Sequence, residues 1–178
     1  MPDLTHRLAL STDIPAISAL MERAIVALLR EFLDAQQVAA SRAVMGLDTQ
    51  LIDDKSYVLV FAGDRLAGCG GWSNRATLYG GNHSAALRNP QQLSPGTDAA
   101  RIRAMFTDPD FARRGIGRLI LQLCEDAARR AGFDRTELMA TLAGEPLYRA
   151  CGYAEIERSY APAINEVGVP LVRMGKRL

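Results

Sequence analysis

Residues 99–132 change character three times. Ala99-Ala100-Arg101-Ile102-Arg103-Ala104-Met105-Phe106-Thr107 reads as a strand. Asp108-Pro109-Asp110 ends it, because proline cannot donate to a ladder and aspartates favour a turn. Phe111-Ala112-Arg113-Arg114-Gly115-Ile116-Gly117-Arg118 follows, and then a helix from Gly115 to Ala131. Its apolar residues Ile116, Leu119, Ile120, Leu123 and Ala127 keep the spacing of one helical face. Arg129, Arg130 and Gly132 end it as helices commonly end. A strand, a glycine turn and a helix start together make an anion site. First-turn amides have no intrahelical partner and carry partial positive charge. Gly115 and Gly117 let a ligand approach without meeting a Cβ, and Arg113, Arg114 and Arg118 add charged donors. A phosphate or pyrophosphate is the expected guest.

Gly-x-Gly alone does not say which. A dinucleotide fingerprint needs a third glycine, and Leu119 and Ile120 stand there instead. An NTPase phosphate loop needs Gly-Lys-Ser/Thr, which is absent. The plainer alternative is a helix entry beneath solvated arginines.

The surroundings narrow the choice. Thr107-Asp108-Pro109 followed by Arg114-Gly115-Ile116-Gly117-Arg118 resembles motif A of the GNAT (Gcn5-related N-acetyltransferase) superfamily. Ala112 stands where the family usually has Arg or Gln. Leu147-Tyr148-Arg149-Ala150-Cys151-Gly152-Tyr153 is similar to a second family block, in the right order. The resemblance covers residues 55–160 in detail. It implies an α/β (α+β) fold: a central mixed, mostly antiparallel twisted sheet of about seven strands with a splayed parallel pair, flanked by about four helices. It implies acetyl-CoA as co-substrate and a primary amine of a small molecule or peptide as acceptor. Backbone groups of Met105, Phe106 and Thr107 would pair with the pantetheine arm, with Thr141 beside it on the next strand. Residues Arg113, Arg114, Gly115, Ile116, Gly117 and Arg118 would hold the pyrophosphate. Tyr148 would donate a proton to the departing thiolate. The departure at Ala112 keeps open a CoA-binding module without catalysis. A dinucleotide domain remains a further alternative, with Asp134 or Glu137 as its acid.

Length favours one domain over 1–178, and 178 residues bury a core without staples. A net charge of +1 gives no general attraction to nucleic acid or membrane. The arginines are nevertheless clustered, with Arg101 and Arg103 joining those of the turn. They suggest a polyanionic ligand, and near the acceptor an acidic substrate; the alternative is a solvent-facing strand side. Cys69, Cys124 and Cys151 lack metal spacing and read as packing residues of a reducing compartment. Asp3, His6 and Arg7 interrupt any signal-peptide run, and no apolar run approaches the roughly 18 residues of a membrane span. A cytoplasmic location follows by default.

Elsewhere, Arg7–Leu10 reads as a first strand, and helical spacing runs from Ile14 toward Ala40 with a bend near Arg30–Asp34. Gln50–Tyr57 reads as a connection, Tyr57–Ala62 and Leu66–Trp72 as a hairpin. Three glycines in the second strand signal a bulge or a close approach. Trp72 fits core or pocket wall. Thr77–Tyr79 extends a strand, and residues 73–98 otherwise form a loop expected at the acceptor site, its His83 solvated rather than catalytic. Arg135–Thr141 is a parallel partner for the strand before the turn. Tyr153–Tyr160 and Val167–Met174 are final strands, apolar enough to permit a homodimer. Asp98 and Glu137 are the acids nearest the site and weak candidates for a general base.

Overall fold

The chain folds around one seven-stranded sheet, seen in a computed structural model that describes residues 3–163 and 165–178. Residues 1, 2 and 164, which the expected 1–178 domain includes, lie outside the described residues. The strands are β1 (Leu4–Leu8), β2 (Tyr57–Ala62), β3 (Arg65–Ser73), β4 (Ala100–Thr107), β5 (Arg135–Thr141), β6 (Ala154–Tyr160) and β7 (Pro170–Arg177). Their order is β1-β2-β3-β4-β5-β7-β6, antiparallel except for β4 and β5. The expected architecture of a mixed sheet with one parallel pair is therefore present. There are five helices rather than four among the described residues: α1 (Ile14–Leu29), α2 (Ala35–Ser41), α3 (Thr49–Asp53), α4 (Ile116–Arg130) and α5 (Glu145–Ala150).

The expected bend between α1 and α2 is set by Asp34. Its carboxylate accepts the Gln37 amide at 2.8 Å, and the Gln37 side chain accepts the Asp34 amide, a reciprocal cap. The extra helix, α3, starts one residue ahead of the segment read as a connection and takes up its first four residues. Asp48 caps it, accepting the Gln50 amide at 3.1 Å. At five residues it is too short for a helical period to register. β1 starts and ends earlier than read, β7 runs three residues past Met174, and Thr77–Tyr79 is not a strand.

Two apolar layers cover the sheet. α1 and α2 lie on one face, over a core that includes Ile17, Leu20, Leu51, Leu59 and Phe106. α4 lies on the other, with Ile116, Ile120, Leu121 and Cys124 at or below 2% exposure. Its buried face is rotated from the one read in sequence: Leu121, Cys124 and Ala128 are inside, while Leu119 and Leu123 are only half-buried. The strand glycines explain how closely it packs. A Cβ on Gly68 would lie 2.6 Å from Ile116 Cγ2, and one on Gly70 would lie 2.6 Å from Ile120 Cγ2. The close approach read from these glycines is that of a helix, and full burial of each isoleucine contributes about 1.5–3 kcal/mol. Trp72 packs edge-on against Phe133, centroids 6.2 Å apart. No helix among the described residues is long and apolar enough to cross a membrane.

Candidate active site

The site begins with an irregularity in β4. The β3–β4 register slips between Cys69 and Gly71, so β4 carries an extra residue. Ala104 sits there at φ +49°, a left-handed conformation uncommon outside glycine. Arg103 and Ala104 consequently both serve the α1 face, while Ile102 and Met105 serve the α4 face. Tyr57, 1% exposed, holds the bulge by donating its hydroxyl to the Ala104 carbonyl at 2.7 Å. By this point β4 and β5 have already parted. Their ladder consists of Ala100 with Thr136 and Arg101 with Glu137, and no later pair. A cavity of about 120 Å³ lies in the split. Met105, Phe106, Thr141, Gly144 and Tyr148 line it, and so do Arg103, Tyr79 and Gly80.

Past the split, the turn is tied down by charge. Asp108, 4% exposed, accepts the Asp110 amide at 2.9 Å and an Arg23 Nη2 bond at 3.0 Å. Phe111 is buried under the Arg65 and Arg114 guanidinium groups, 4.8 and 5.7 Å from its ring centre. Arg113 (φ +63°) and Gly115 (φ +84°) then swing the chain into α4. The first backbone bond of α4 runs from the Leu119 amide to the Gly115 carbonyl at 3.0 Å. The amides of Ile116, Gly117 and Arg118 precede it and have no helical partner. Arg113, Arg114 and Arg118 are exposed and form no ion pair among the described residues. Ile116 offers only its amide, since its side chain is core. The two glycines do different work. Gly115 takes the left-handed turn with open space around it. A Cβ on Gly117 would lie 2.8 Å from Leu147 Cδ2, so this glycine admits α5 rather than a ligand.

Tyr148 enters the cavity wall from α5. It is 8% exposed and packs edge-on against Tyr153, centroids 5.9 Å apart. Its hydroxyl has the Met105 sulfur at 3.7 Å, a weak acceptor. Burial first, then the Cys124 and Cys151 thiols, pushes its pKa above the ordinary phenol value. The group is therefore a protonated donor at neutral pH.

Arg101 and Arg103, the strand arginines of the cluster, are not solvent-facing. Arg103 Nη1 meets Asp48 Oδ2 at 2.7 Å with side chains 3% and 1% exposed, and Arg103 Nη2 donates to the Gly80 carbonyl at 2.7 Å. Arg88 shares Asp48 at 2.8 Å. Burial lowers the Arg103 pKa, and Asp48 opposes that shift. Arg101 and Arg173 share Glu137, at 2.8 and 2.5 Å. Glu137 is thus committed to two guanidinium groups, and Asp98 caps a turn by accepting the Ser94 amide at 2.8 Å. Neither acid lines the cavity, whose wall contains no carboxylate and no imidazole among the described residues. The 73–98 segment does reach it, through Leu78, Tyr79 and Gly80, and His83 is exposed. Among the described residues no group of His, Cys, Asp and Glu side chains has metal-site geometry. Sequence reasoning missed Asp48, Tyr57 and Arg88. Asp48-Thr49 ahead of Leu51-Ile52 is a helix-start signal, but nothing local ties it to an arginine 55 positions on.

Known proteins give the arrangement its context. The model of the "Acetyltransferase (GNAT) family" matches residues 21–153. No curated protein matches the sequence. A solved GCN5-related N-acetyltransferase from Rhodopseudomonas palustris superposes with a TM-score of 0.68 at 16% identity, covering 100% of this chain and 96% of that one. The PaiA N-acetyltransferase of Thermoplasma acidophilum, solved with coenzyme A, gives 0.64 at 11% identity, covering 99% of each chain. The ribosomal-protein-alanine N-acetyltransferase of Brucella melitensis gives 0.65 at 15% identity, covering 98% of this chain and 99% of that one. At such identities the likeness is one of fold. The family match spans most of the sequence, from α1 through Tyr153, and takes in both the split strands and the arginine turn: the chain belongs to the GNAT family of acetyltransferases.

Proposed function

We propose that the protein transfers an acetyl group from acetyl-CoA to a primary amine of a small molecule or peptide, both substrates being held at once. The observation that carries this reading is the split between β4 and β5, with Tyr148 in its wall and the arginine turn beyond its open end. The residues present fit the co-substrate. Three unpaired arginines and three partnerless amides suit a pyrophosphate. A gap between strands with unladdered backbone beyond Arg101 suits an amide-bearing arm, with Met105, Phe106, Thr107 and Thr141 along it. Bound there, acetyl-CoA would supply the acetyl group as a thioester. The arginine turn would anchor its phosphates, and the strand edges would align its arm, so that much of the rate comes from proximity.

Tyr148 would donate its Oη proton to the sulfur as the C–S bond breaks and the new C–N bond forms. Its raised pKa does not disqualify it. A thiolate leaving in a cavity closed off from water is also a stronger base than in water, since desolvation disfavours its charged form. The acceptor must arrive neutral, which costs a lysine-like amine ~4.6 kcal/mol at pH 7. With no carboxylate in the wall, its proton would pass to solvent. That missing base also favours a second reading, a CoA-binding module without turnover.

Thermal melts with acetyl-CoA, CoA and NAD test the donor site. Ligand at 100 times its dissociation constant stabilises by about 2.7 kcal/mol. Both CoA species should raise the melting temperature, and Arg113→Glu should weaken the effect. No shift with either would sink the reading, and a shift with NAD alone would replace it with a dinucleotide domain. Acetylation of any amine would remove the second reading.

A further inference from the structure

We infer that the acceptor is a small amine bearing a carboxylate, which Arg103 receives at the closed end of the β4–β5 split. This rests on the acetyltransferase reading and names the substrate class of the same cavity. Arg103 lies two residues past the last β4–β5 pair, in the cavity wall. It is 5% exposed, and its Nε has no hydrogen-bond partner. Its Nη1 and Nη2 are held by Asp48 and the Gly80 carbonyl and its Nε is sealed from solvent, so the guanidinium is incompletely paired at a cost that an anion drawn against it from the cavity would offset.

The charge balance around it points the same way. Arg103 and Arg88 share the single carboxylate of Asp48. On the same sheet face Arg101 and Arg173 share the single carboxylate of Glu137, and the Arg101 Nε is likewise buried and unpartnered. Four guanidinium groups thus face two carboxylates. A plain amine arriving as a cation would meet this excess positive charge, whereas an amine carrying a carboxylate would neutralise part of it. Among the described residues no other charged side chain lines the cavity, whose remaining wall is apolar side chains, tyrosine, threonine and glycine backbone. Arg103 is therefore the group in that wall able to select for an anion.

The test compares the twenty free amino acids with their carboxyamides as acceptors, reading CoA release, in wild type and Arg103→Lys. The free acids should be preferred by about tenfold or more in kcat/KM. Arg103→Lys should raise KM for the acids about tenfold and change kcat much less, so that the acid-to-amide ratio of kcat/KM falls about tenfold. Stabilisation by CoA is measured in parallel on both proteins and shows that each is folded and donor-competent. Amides used as well as acids would overturn the inference without any variant. So would an unchanged acid-to-amide ratio in a CoA-stabilised Arg103→Lys, or CoA binding with no amino acid acetylated. Failure of CoA to stabilise the wild type is a separate result: it removes the acetyltransferase reading, and this inference falls with it.

Discussion

Asp48 and Arg103 meet at 2.7 Å although 55 residues and several elements separate them, and both side chains are almost wholly buried. One carboxylate caps α3, holds the bulged strand and pairs with Arg88. Removing it strands buried charge. Asp48→Ala is expected to lower unfolding stability by about 3–5 kcal/mol, read as a lower urea midpoint.

Gly117→Ala tests the contact between α4 and α5. The new Cβ would crowd the end of the Leu147 side chain, which has rotamers to give, so the expected loss is about 1–2 kcal/mol. Leu147→Ala in the same protein should recover part of it. A double-mutant cycle without coupling would show that the helices do not meet there.

Tyr148→Phe keeps the ring stack on Tyr153 and deletes the proton. It should retain CoA-induced stabilisation while kcat falls by about 10²–10⁴-fold. Unchanged kcat would leave the phenol a packing residue.

The bare cavity wall makes acceptor deprotonation a solvent event. At subsaturating acceptor, kcat/KM should rise about tenfold per pH unit until the pKa of the free amine. A plateau well below that value would reveal a base in the protein.

Alkaline stability follows from two buried thiols. Burial pushes Cys69 and Cys124 up to about 12, from an ordinary value of 9.0. The unfolded thiols release protons first as pH rises. The stabilising contribution is intact below pH 9.0 and is lost toward 12, up to about 4 kcal/mol for each group. Melting temperatures should fall across that window, and Cys124→Ala should flatten the decline.

How much of this the sequence disclosed depended on range. The strand, turn and helix of residues 100–130 stood out because apolar period, proline and glycine all act locally. The parallel partnership of β4 and β5 followed from the single helix between them. Arg101 and Arg103, in contrast, read as easily solvated, because their neutralising acids lie on distant elements. The bulge at Ala104 had no local cue either: alanine does not advertise a positive φ, and Tyr57 secures it from another strand. Gly117 showed the opposite problem. Its type was informative, but the atom it makes room for belongs to α5.

The strand order has a bearing on how the chain assembles as it is synthesised. Up to Thr107 each strand pairs only with the one made before it, so half of the sheet can zip in sequence. After the split that rule reverses: β7, the last strand to emerge, lies between β5 and β6 and supplies a long ladder to each. The carboxyl-terminal half of the sheet therefore waits for its keystone, and a chain cut after Val169 would leave β6 with nothing to pair with and β5 holding only two residues of β4.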